Sequence, residues 1–268
     1  MTAATEKGVW KRLSPARRFM IDMLHFARQV PSIPVARTMN LAAVAEARRA
    51  AEPRPSWTAI FMRSYGLVSS RHPRLRQALV RWPWPHLYEH PISVCGMPIE
   101  REMDGEHVLV PTQIRSPEFQ SLVAIDGHLQ RYKTVPIADI GYFRMALRMG
   151  RLPQFVRRFL WWHTLHCSGY KRAKRLGTFG LSSYGRLGAE QIHPIGPLTT
   201  LLTFGPISDG GEVVVKIVYD HRVIDGADVA RCLEDLERTL TSVLVAELDA
   251  MRRAGLQPGQ STARPQAA

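Results

Sequence analysis

Two spacings of apolar residues alternate along the chain and divide it into predicted helices and strands. Apolar residues three or four positions apart predict helices, which fall at 13–29, 41–51, 56–80, 116–130, 139–176 and 226–248. Alternating or continuous short apolar runs predict strands, which fall at 34–40, 92–99, 107–114, 177–183, 197–206 and 211–219. The interleaving of the two kinds of element predicts an α/β fold. The Pro-rich segment 81–91 is predicted to be an irregular connection.

Local signals place several element boundaries. Ser14 followed by Pro15 is typical of a helix start, with the serine as N-cap. Asp104-Gly105 predicts a tight turn between two strands. Ser116 is predicted to begin the next helix.

Length and composition predict one folded domain. The chain has 268 residues, 45% of them hydrophobic, which is enough for a substantial core. We expect the domain at 13–250, a flexible arm at 1–12 and a disordered tail at 251–268. The three cysteines (Cys95, Cys167 and Cys232) have no paired spacing, and the chain shows no secretory or membrane-spanning apolar segment. These features predict a cytoplasmic protein.

The charge balance favours acidic partners. Lys and Arg number 36 and Asp and Glu number 23, which gives a formal net charge of +13. Phosphate groups, anionic lipid, nucleic acid and an acidic protein all fit that surplus. Nucleic acid is the least favoured partner, because the chain carries no recognisable nucleic-acid-binding motif.

The clearest candidate chemistry lies where the strand 211–219 ends. Asp220 and His221 follow the strand directly, and Asp225 and Gly226 come just before the last helix. A histidine held at a strand end can accept a proton at neutral pH, the aspartate can order its surroundings, and the glycine permits a tight turn. Spacing alone favours a pair without catalytic function, because one histidine near one aspartate is common.

A resemblance to a known family favours the catalytic interpretation of His221. The stretch DHRVIDGADVARCLEDLERTL resembles the signature of the catalytic domain of 2-oxoacid dehydrogenase acyltransferases, the dihydrolipoyl acyltransferases. Similar stretches occur in the family's order along residues 11–248; they are LSPARRFM at 13–20, IPVARTMNLAAVAEARR at 33–49, SWTAIFMRSYGLVSSRHPRLRQAL at 56–79, ISVCGMPIEREMDGEHVLVPTQIRSPEFQSL at 92–122 and GTFGLSSYGRLG at 177–188. The resemblance implies a chloramphenicol acetyltransferase-like fold, a two-layer sandwich of a mixed β-sheet flanked by helices, and a homotrimer.

The resemblance also implies a mechanism and its residues. His221 would take the proton from a thiol of coenzyme A or dihydrolipoamide, and Ser182 would donate a hydrogen bond to the oxyanion that forms. Ser183 is the alternative serine. Asp225 matches the family's position after the histidine and would be tied to Arg17 of the opening helix. In a trimer, His221 of one chain would face Ser182 of the next.

The sequence departs from the family in three places. No lipoyl domain or subunit-binding domain precedes residue 13, so we expect the acyl donor to come from a separate lipoyl or acyl carrier protein. The loop at 206–212 is shorter than in the family. The segment 131–176 reads as a basic insertion, in which nine basic and no acidic residues lie from Arg144 to Arg175.

Four interpretations of the insertion remain open. It is a solvated helical face with core tryptophans Trp161 and Trp162, a phosphate site for coenzyme A, an anionic-membrane surface, or a docking site for an acidic carrier. The candidate phosphate ligands are Arg172, Lys174 and Arg175. No metal is predicted, because the trio His163, His166 and Cys167 has no evident fourth ligand.

Three functions follow from these observations. The first is a coenzyme A-dependent acyltransferase with His221 as base, and the joint presence of Asp220, Asp225, Gly226 and Ser182 favours it. The second is an inactive trimeric scaffold of the same fold, which the missing lipoyl arm favours. The third is a peripheral membrane acyltransferase acting on lipidic acyl groups.

Overall fold

The computed structural model describes residues 8–255. The helices are α1 Pro15–Ala27, α2 Ala42–Ala50, α3 Trp57–Arg71, α4 Leu122–Thr134, α5 Gly141–Arg151, α6 Gln154–His166, α7 Gly169–Leu176, α8 Gly226–Thr239 and α9 Val245–Gly255. The strands are β1 Ser32–Asn40, β2 Gln77–Val80, β3 His86–Glu89, β4 Val94–Met103, β5 Glu106–Arg115, β6 Phe179–Ser182, β7 Thr200–Phe204 and β8 Glu212–Asp220. A π-helical segment, Leu240–Leu244, joins α8 to α9.

Six strands form one mixed sheet in the order β1-β8-β7-β6-β4-β5. The pairs β4–β6 and β6–β7 are parallel, and the other three pairs are antiparallel. Strands β2 and β3 form a separate hairpin. The predicted α/β class with a mixed sheet flanked by helices is therefore confirmed.

The main core lies between one face of the sheet and the helices α3, α4 and α8. Tyr65 of α3 is fully buried there; its hydroxyl donates to Thr200 Oγ1 at 2.8 Å and its ring lies 4.4 Å from that of Phe179. Phe61 stacks on Phe204 with ring centroids 4.1 Å apart. These contacts fix β6 and β7, so the residues at the ends of those strands have defined positions.

Several local predictions are confirmed. Ser14 caps α1 by accepting a hydrogen bond from the backbone N–H of Arg17, and Pro15 is the first helical residue. Asp104 and Gly105 both have positive φ, 54° and 74°, as a two-residue hairpin turn between β4 and β5 requires.

Three boundaries were predicted wrongly. The helix predicted at 56–80 ends at Arg71, and the residues beyond it form the β2–β3 hairpin, which also occupies part of the connection predicted at 81–91. Ser116 adopts a left-handed conformation with φ 48° before a 3-10 turn, and the following helix is capped by Ser121. Helix α9 continues to Gly255 because Met251 packs on the core, so the tail does not begin at 251.

The parts of the predicted arm and tail at 1–7 and 256–268 lie outside the described residues. Residues 8–12 have no regular secondary structure. Between residues 8 and 255, no helix combines the length and the apolar character that crossing a bilayer requires.

Candidate active site

His221 stands immediately after β8. Its backbone N–H donates to the carbonyl of Pro31 at 3.2 Å, which anchors the turn to the start of β1. Asp225 is the N-cap residue of α8, and its Oδ1 lies 3.6 Å from Nδ1 of His221. The two side chains are 44% and 73% exposed. A histidine and a carboxylate are thus paired on an open surface.

Asp220 holds this turn together. Its carboxylate is buried and accepts hydrogen bonds from the backbone N–H of Arg222 at 3.1 Å, and from Nε and Nη2 of the same arginine at 2.8 and 2.7 Å. A Cβ on Gly226 would lie 3.0 Å from the hydroxyl of Tyr219. The charged pair and the glycine therefore fix the position from which His221 projects.

Ser182 ends β6 and lines a cavity of about 450 Å³. Within residues 8–255 its hydroxyl makes no hydrogen bond to the protein, so it is available to a ligand. The hydroxyl of Ser183 instead donates to the carbonyl of Phe204 at 3.0 Å and accepts from the N–H of Gly185 at 3.3 Å. Of the two candidate serines, Ser182 is the one free to act as a donor.

His221 and Ser182 do not meet within one chain. Ser182 pairs with Thr203, which pairs with Lys216, five residues before His221. At ~3.3 Å per residue and ~4.8 Å per strand spacing, the two Cα atoms lie about 19 Å apart. A single chain therefore presents the base and the serine at separate places on the sheet.

The predicted pair of Arg17 and Asp225 does not form. Arg17 lies on α1 beside β5, where its Nη2 is 3.4 Å from Oε1 of Glu106. Both side chains are substantially exposed, so this pair contributes roughly 0–1 kcal/mol. Among the described residues, Asp225 is paired with His221.

The basic insertion builds one wall of the cavity. Its helices α5, α6 and α7 contribute lining residues, among them Trp161, whose buried ring packs 5.1 Å from Phe19 of α1. Trp162 is partly exposed and stacks on the exposed Phe159, with ring centroids 6.4 Å apart. The insertion is therefore more than a solvated face.

The three proposed phosphate ligands differ in their surroundings. Arg172 is buried and donates to the carbonyls of Leu79 at 3.0 Å and Pro197 at 2.7 Å. Burial lowers its pKa to about 10. It is committed to the protein backbone, so its prediction as a cofactor ligand is wrong. Lys174 is exposed, and Arg175 lines the cavity while donating to Thr164 Oγ1 at 2.6 Å.

No group of three or more His, Cys, Asp or Glu side chains in residues 8–255 is arranged to hold a metal ion. His163, His166 and Cys167 lie in and just after the last turn of α6. The ring of His166 is half-buried. Burial, together with the neighbouring cations Arg81, Arg172 and Arg222, lowers its pKa to about 4. Three neighbouring cations make this an unfavourable place for a metal ion.

Several polar residues of the cavity were not among the predicted site residues, and Gln113 and His193 are two of them. Gln113 on β5 lines it, and a long polar side chain near the end of the predicted strand HVLVPTQI was the available signal. His193 also lines it, and its Nε2 lies 3.0 Å from Oγ of Ser32. His193 follows no recognisable pattern, since it lies on the loop between β6 and β7.

Comparison with solved structures identifies the fold. A dihydrolipoamide acetyltransferase of Azotobacter vinelandii superposes with a TM-score of 0.66 at 18% identity, covering 92% of this chain and 96% of that one. A probable dihydrolipoamide acetyltransferase from Listeria monocytogenes gives 0.63 at 17% identity, over 90% and 97% of the two chains. A truncated catalytic core of the 2-oxoacid dehydrogenase multienzyme complex from Thermoplasma acidophilum gives 0.63 at 15%, over 88% and 99%.

No protein-family model matches the chain, and no curated protein matches its sequence. The structural likeness at these low identities establishes the fold. This chain therefore has the fold of the catalytic cores of dihydrolipoamide acetyltransferases, as its sequence predicted.

Proposed function

We propose that this protein is an acyltransferase that moves an acyl group between coenzyme A and a thiol or other acceptor, with His221 as general base. The observation that carries the proposal is the His221–Asp225 pair at the end of β8, on a fold shared with acetyltransferases. The study of the A. vinelandii enzyme concerns the role of a serine, a histidine and an asparagine four positions later in its mechanism. Asp225 stands four positions after His221 here.

The active unit in this proposal is a homotrimer. His221 is exposed in the single chain, whereas a general base works best where water is excluded and electrostatic interactions are strong. Ser182 lies about 19 Å away by strand geometry, too far to share a substrate atom with His221 of the same chain. Packing the His221 end of one chain against the cavity of the next brings the two groups together and encloses both.

The reaction steps follow from that arrangement. The neutral imidazole of His221 takes the proton from the acceptor thiol, and the thiolate sulfur attacks the carbonyl carbon of the acyl thioester. The carbonyl electron pair moves to oxygen, where the Ser182 hydroxyl of the adjacent chain donates a hydrogen bond. Collapse of the intermediate breaks the bond to the donor sulfur, which takes the proton back from His221. Asp225 orients the imidazole and stabilises its protonated form.

The cofactor and partner assignments belong to the same proposal. In this proposal the exposed Lys174 and the cavity-lining Arg175 neutralise phosphates of coenzyme A. A dihydrolipoyl group on a separate protein is one acceptor that fits the thiol chemistry.

The proposal is tested by replacing the base. We expect His221→Ala to lower the rate of acyl transfer by about 10²–10⁴-fold, measured as thiol release from acyl-coenzyme A, because general bases contribute on that scale. His128→Ala is the matched control, since His128 is exposed on α4, away from both parts of the site. We expect this control to leave the rate unchanged.

Three results would contradict the proposal. Full activity of the His221→Ala variant would remove the base, and loss of activity in His193→Ala instead would reassign that role to the histidine of the cavity. A monomeric mass by light scattering at micromolar concentration would remove the trimer. Absence of turnover with every acyl-coenzyme A tried would favour an inactive scaffold.

A further inference from the structure

The cavity beside Ser182 lies on the sheet face opposite the main core. Its floor is one row of register partners across four strands, in which Gln113 pairs with Gly96, Gly96 with Gly180, and Gly180 with Leu201. Directly paired residues share a face, and Ser182, two positions after Gly180, shares it too. The two adjacent glycines have no side chains of their own, and the Leu176 carbonyl lies close over Gly96 and the Leu201 side chain close over Gly180.

The cavity is much larger than an acetyl group. Its volume is about 450 Å³, many times the ~10–15 Å³ that is needed to hold one water molecule. An acetyl group has three non-hydrogen atoms. A substrate that filled the space would carry an acyl group several times larger.

The lining is mainly apolar and adaptable. Five methionines from α1, β4 and α5 contribute to it; they are Met20, Met23, Met97, Met145 and Met149. Methionine side chains are flexible and polarisable, and they are common where a surface must fit chains of variable shape. Leu109 and Pro111 lie on the same face of β5 as Gln113, at every second position, and extend the apolar wall. Such a wall favours an aliphatic ligand over a small polar one.

Among the wall residues whose buried polar atoms have no partner among the described residues, two are more than nine-tenths buried. Gln113 is 7% exposed, and neither atom of its side-chain amide is hydrogen-bonded. Trp161 is 3% exposed, and its indole N–H is likewise unpaired. Leaving such groups unsatisfied costs about 1–3 kcal/mol each, and both residues line the cavity.

The position of Gln113 relates that ligand to the reaction. Two strand spacings and two residues along the sheet separate its Cα from that of Ser182 by about 12 Å. If the carbonyl of a bound thioester lies at Ser182, the part of the ligand that contacts the Gln113 amide is several bonds away from that carbonyl. The polar atom there is a hydroxyl on the acyl chain or an amide of the pantetheine arm.

We propose that this cavity is an acyl-binding pocket for aliphatic acyl groups of about eight carbons or more, with Gln113 and Trp161 bonding to polar atoms of the bound thioester. The inference rests on the proposed acyl transfer and names its substrate class. It predicts that a long acyl group is held by burial between α1, α5 and the sheet, so affinity rises with chain length.

The test is equilibrium binding of acetyl- and decanoyl-coenzyme A to the full-length His221→Ala variant by calorimetry, below the micelle concentration of the longer ligand. Each buried methylene contributes about fourfold in affinity. With eight additional methylenes, only some of them fully buried, we expect decanoyl-coenzyme A to bind at least about 100-fold more tightly. Equal affinities would overturn the inference.

Narrowing the pocket sharpens the test. Met145→Trp should weaken binding of decanoyl-coenzyme A at least about tenfold, the loss expected from two displaced methylenes, and leave that of acetyl-coenzyme A unchanged. Met20→Trp, on α1, is the second variant should the first not fold. The matched control Val243→Trp adds the same ring at an exposed position outside the cavity and should change neither. Equal weakening of both ligands by the pocket variants would contradict the assignment.

Gln113→Leu separates the two sources of the polar atom. Weaker binding of acetyl- and decanoyl-coenzyme A alike identifies the pantetheine amide, and weaker binding of a hydroxylated decanoyl ligand alone identifies the acyl chain. No effect on any ligand would remove Gln113 from the site. Because binding is measured without turnover, equal affinities would refute the pocket and leave acyl transfer standing, whereas an active His221→Ala variant would refute the base alone.

Discussion

The two halves of the candidate site are built in opposite ways. The base end consists of His221 and Asp225, four residues apart at the close of one strand, and Asp220 and Gly226 of the same turn fix its geometry. The cavity takes its walls from α1, β4–β7 and α5–α7, which are distant in sequence. The first half is a local structure that a short motif specifies, whereas the second exists only when many elements pack correctly.

The halves also differ in their exposure. His221 and Asp225 are open to solvent, whereas Gln113 and Trp161 of the cavity are more than nine-tenths buried. The base end is open to solvent, and His193, on an exposed loop, is the one histidine among the described residues that line the cavity. Each half supplies what the other is missing, which is the physical reason to expect an active site between chains.

The largest expected effect is a loss of stability on the cavity side of the site, when Asp22 is replaced. This fully buried carboxylate on α1 binds Arg157 and, at 3.1 Å, Arg158 of α6, and so ties two cavity walls together. Asp22→Ala leaves two buried or half-buried guanidinium groups without their partner. We expect the free energy of unfolding to fall by about 3–5 kcal/mol, measured by urea denaturation.

Glu106→Ala is the matched control for Asp22→Ala. It removes the exposed ion pair between Arg17 of α1 and Glu106 of β5, and we expect the free energy of unfolding to fall by roughly 0–1 kcal/mol. Similar losses in the two variants would show that the buried α1–α6 pair does not hold the cavity walls together.

A smaller effect on stability is expected from the titration of His166. Because burial and neighbouring arginines lower the pKa of His166 to about 4, the unfolded chain binds a proton below pH 6.5 that the folded chain does not. The stability that the neutral ring provides is therefore present above pH 6.5 and is lost as the pH falls toward 4.

The measurement is the difference in pH dependence between wild type and variant. With allowance for solvent screening at a half-buried site, the wild type should lose about 1 kcal/mol more than His166→Asn between pH 6.5 and 4. His128→Asn, at an exposed histidine, should titrate like the wild type. An identical pH dependence of wild type and His166→Asn would show that this ring does not couple to folding.

The sequence predicts best what short segments determine. The capped start of α1, the turn at Asp104-Gly105 and the strand that leads into His221 each depend on neighbouring residues, and the structure contains all three. The four-residue strands β2 and β3 were missed, because each is stabilised by pairing with the other and not by its own pattern.

Side-chain roles in the cavity could not be predicted for a related reason. Arg172 belongs to a run of basic residues, yet it alone of the three candidates turns inward to bind backbone carbonyls. Gln113 became a cavity residue because the register of β5 places it opposite Gly96. Both outcomes depend on which elements face each other, and the spacing of residues along one segment does not contain that information.

The most direct test of a site shared between chains is complementation. The variants His221→Ala and Ser182→Ala each remove one half, and we expect each alone to have little activity. Co-assembled in equal amounts, they form trimers in which about one site in four receives an intact His221 from one chain and an intact Ser182 from its neighbour. The account predicts that the mixture recovers about a quarter of the wild-type rate, whereas a rate no higher than that of the separate variants would show that the site lies within one chain.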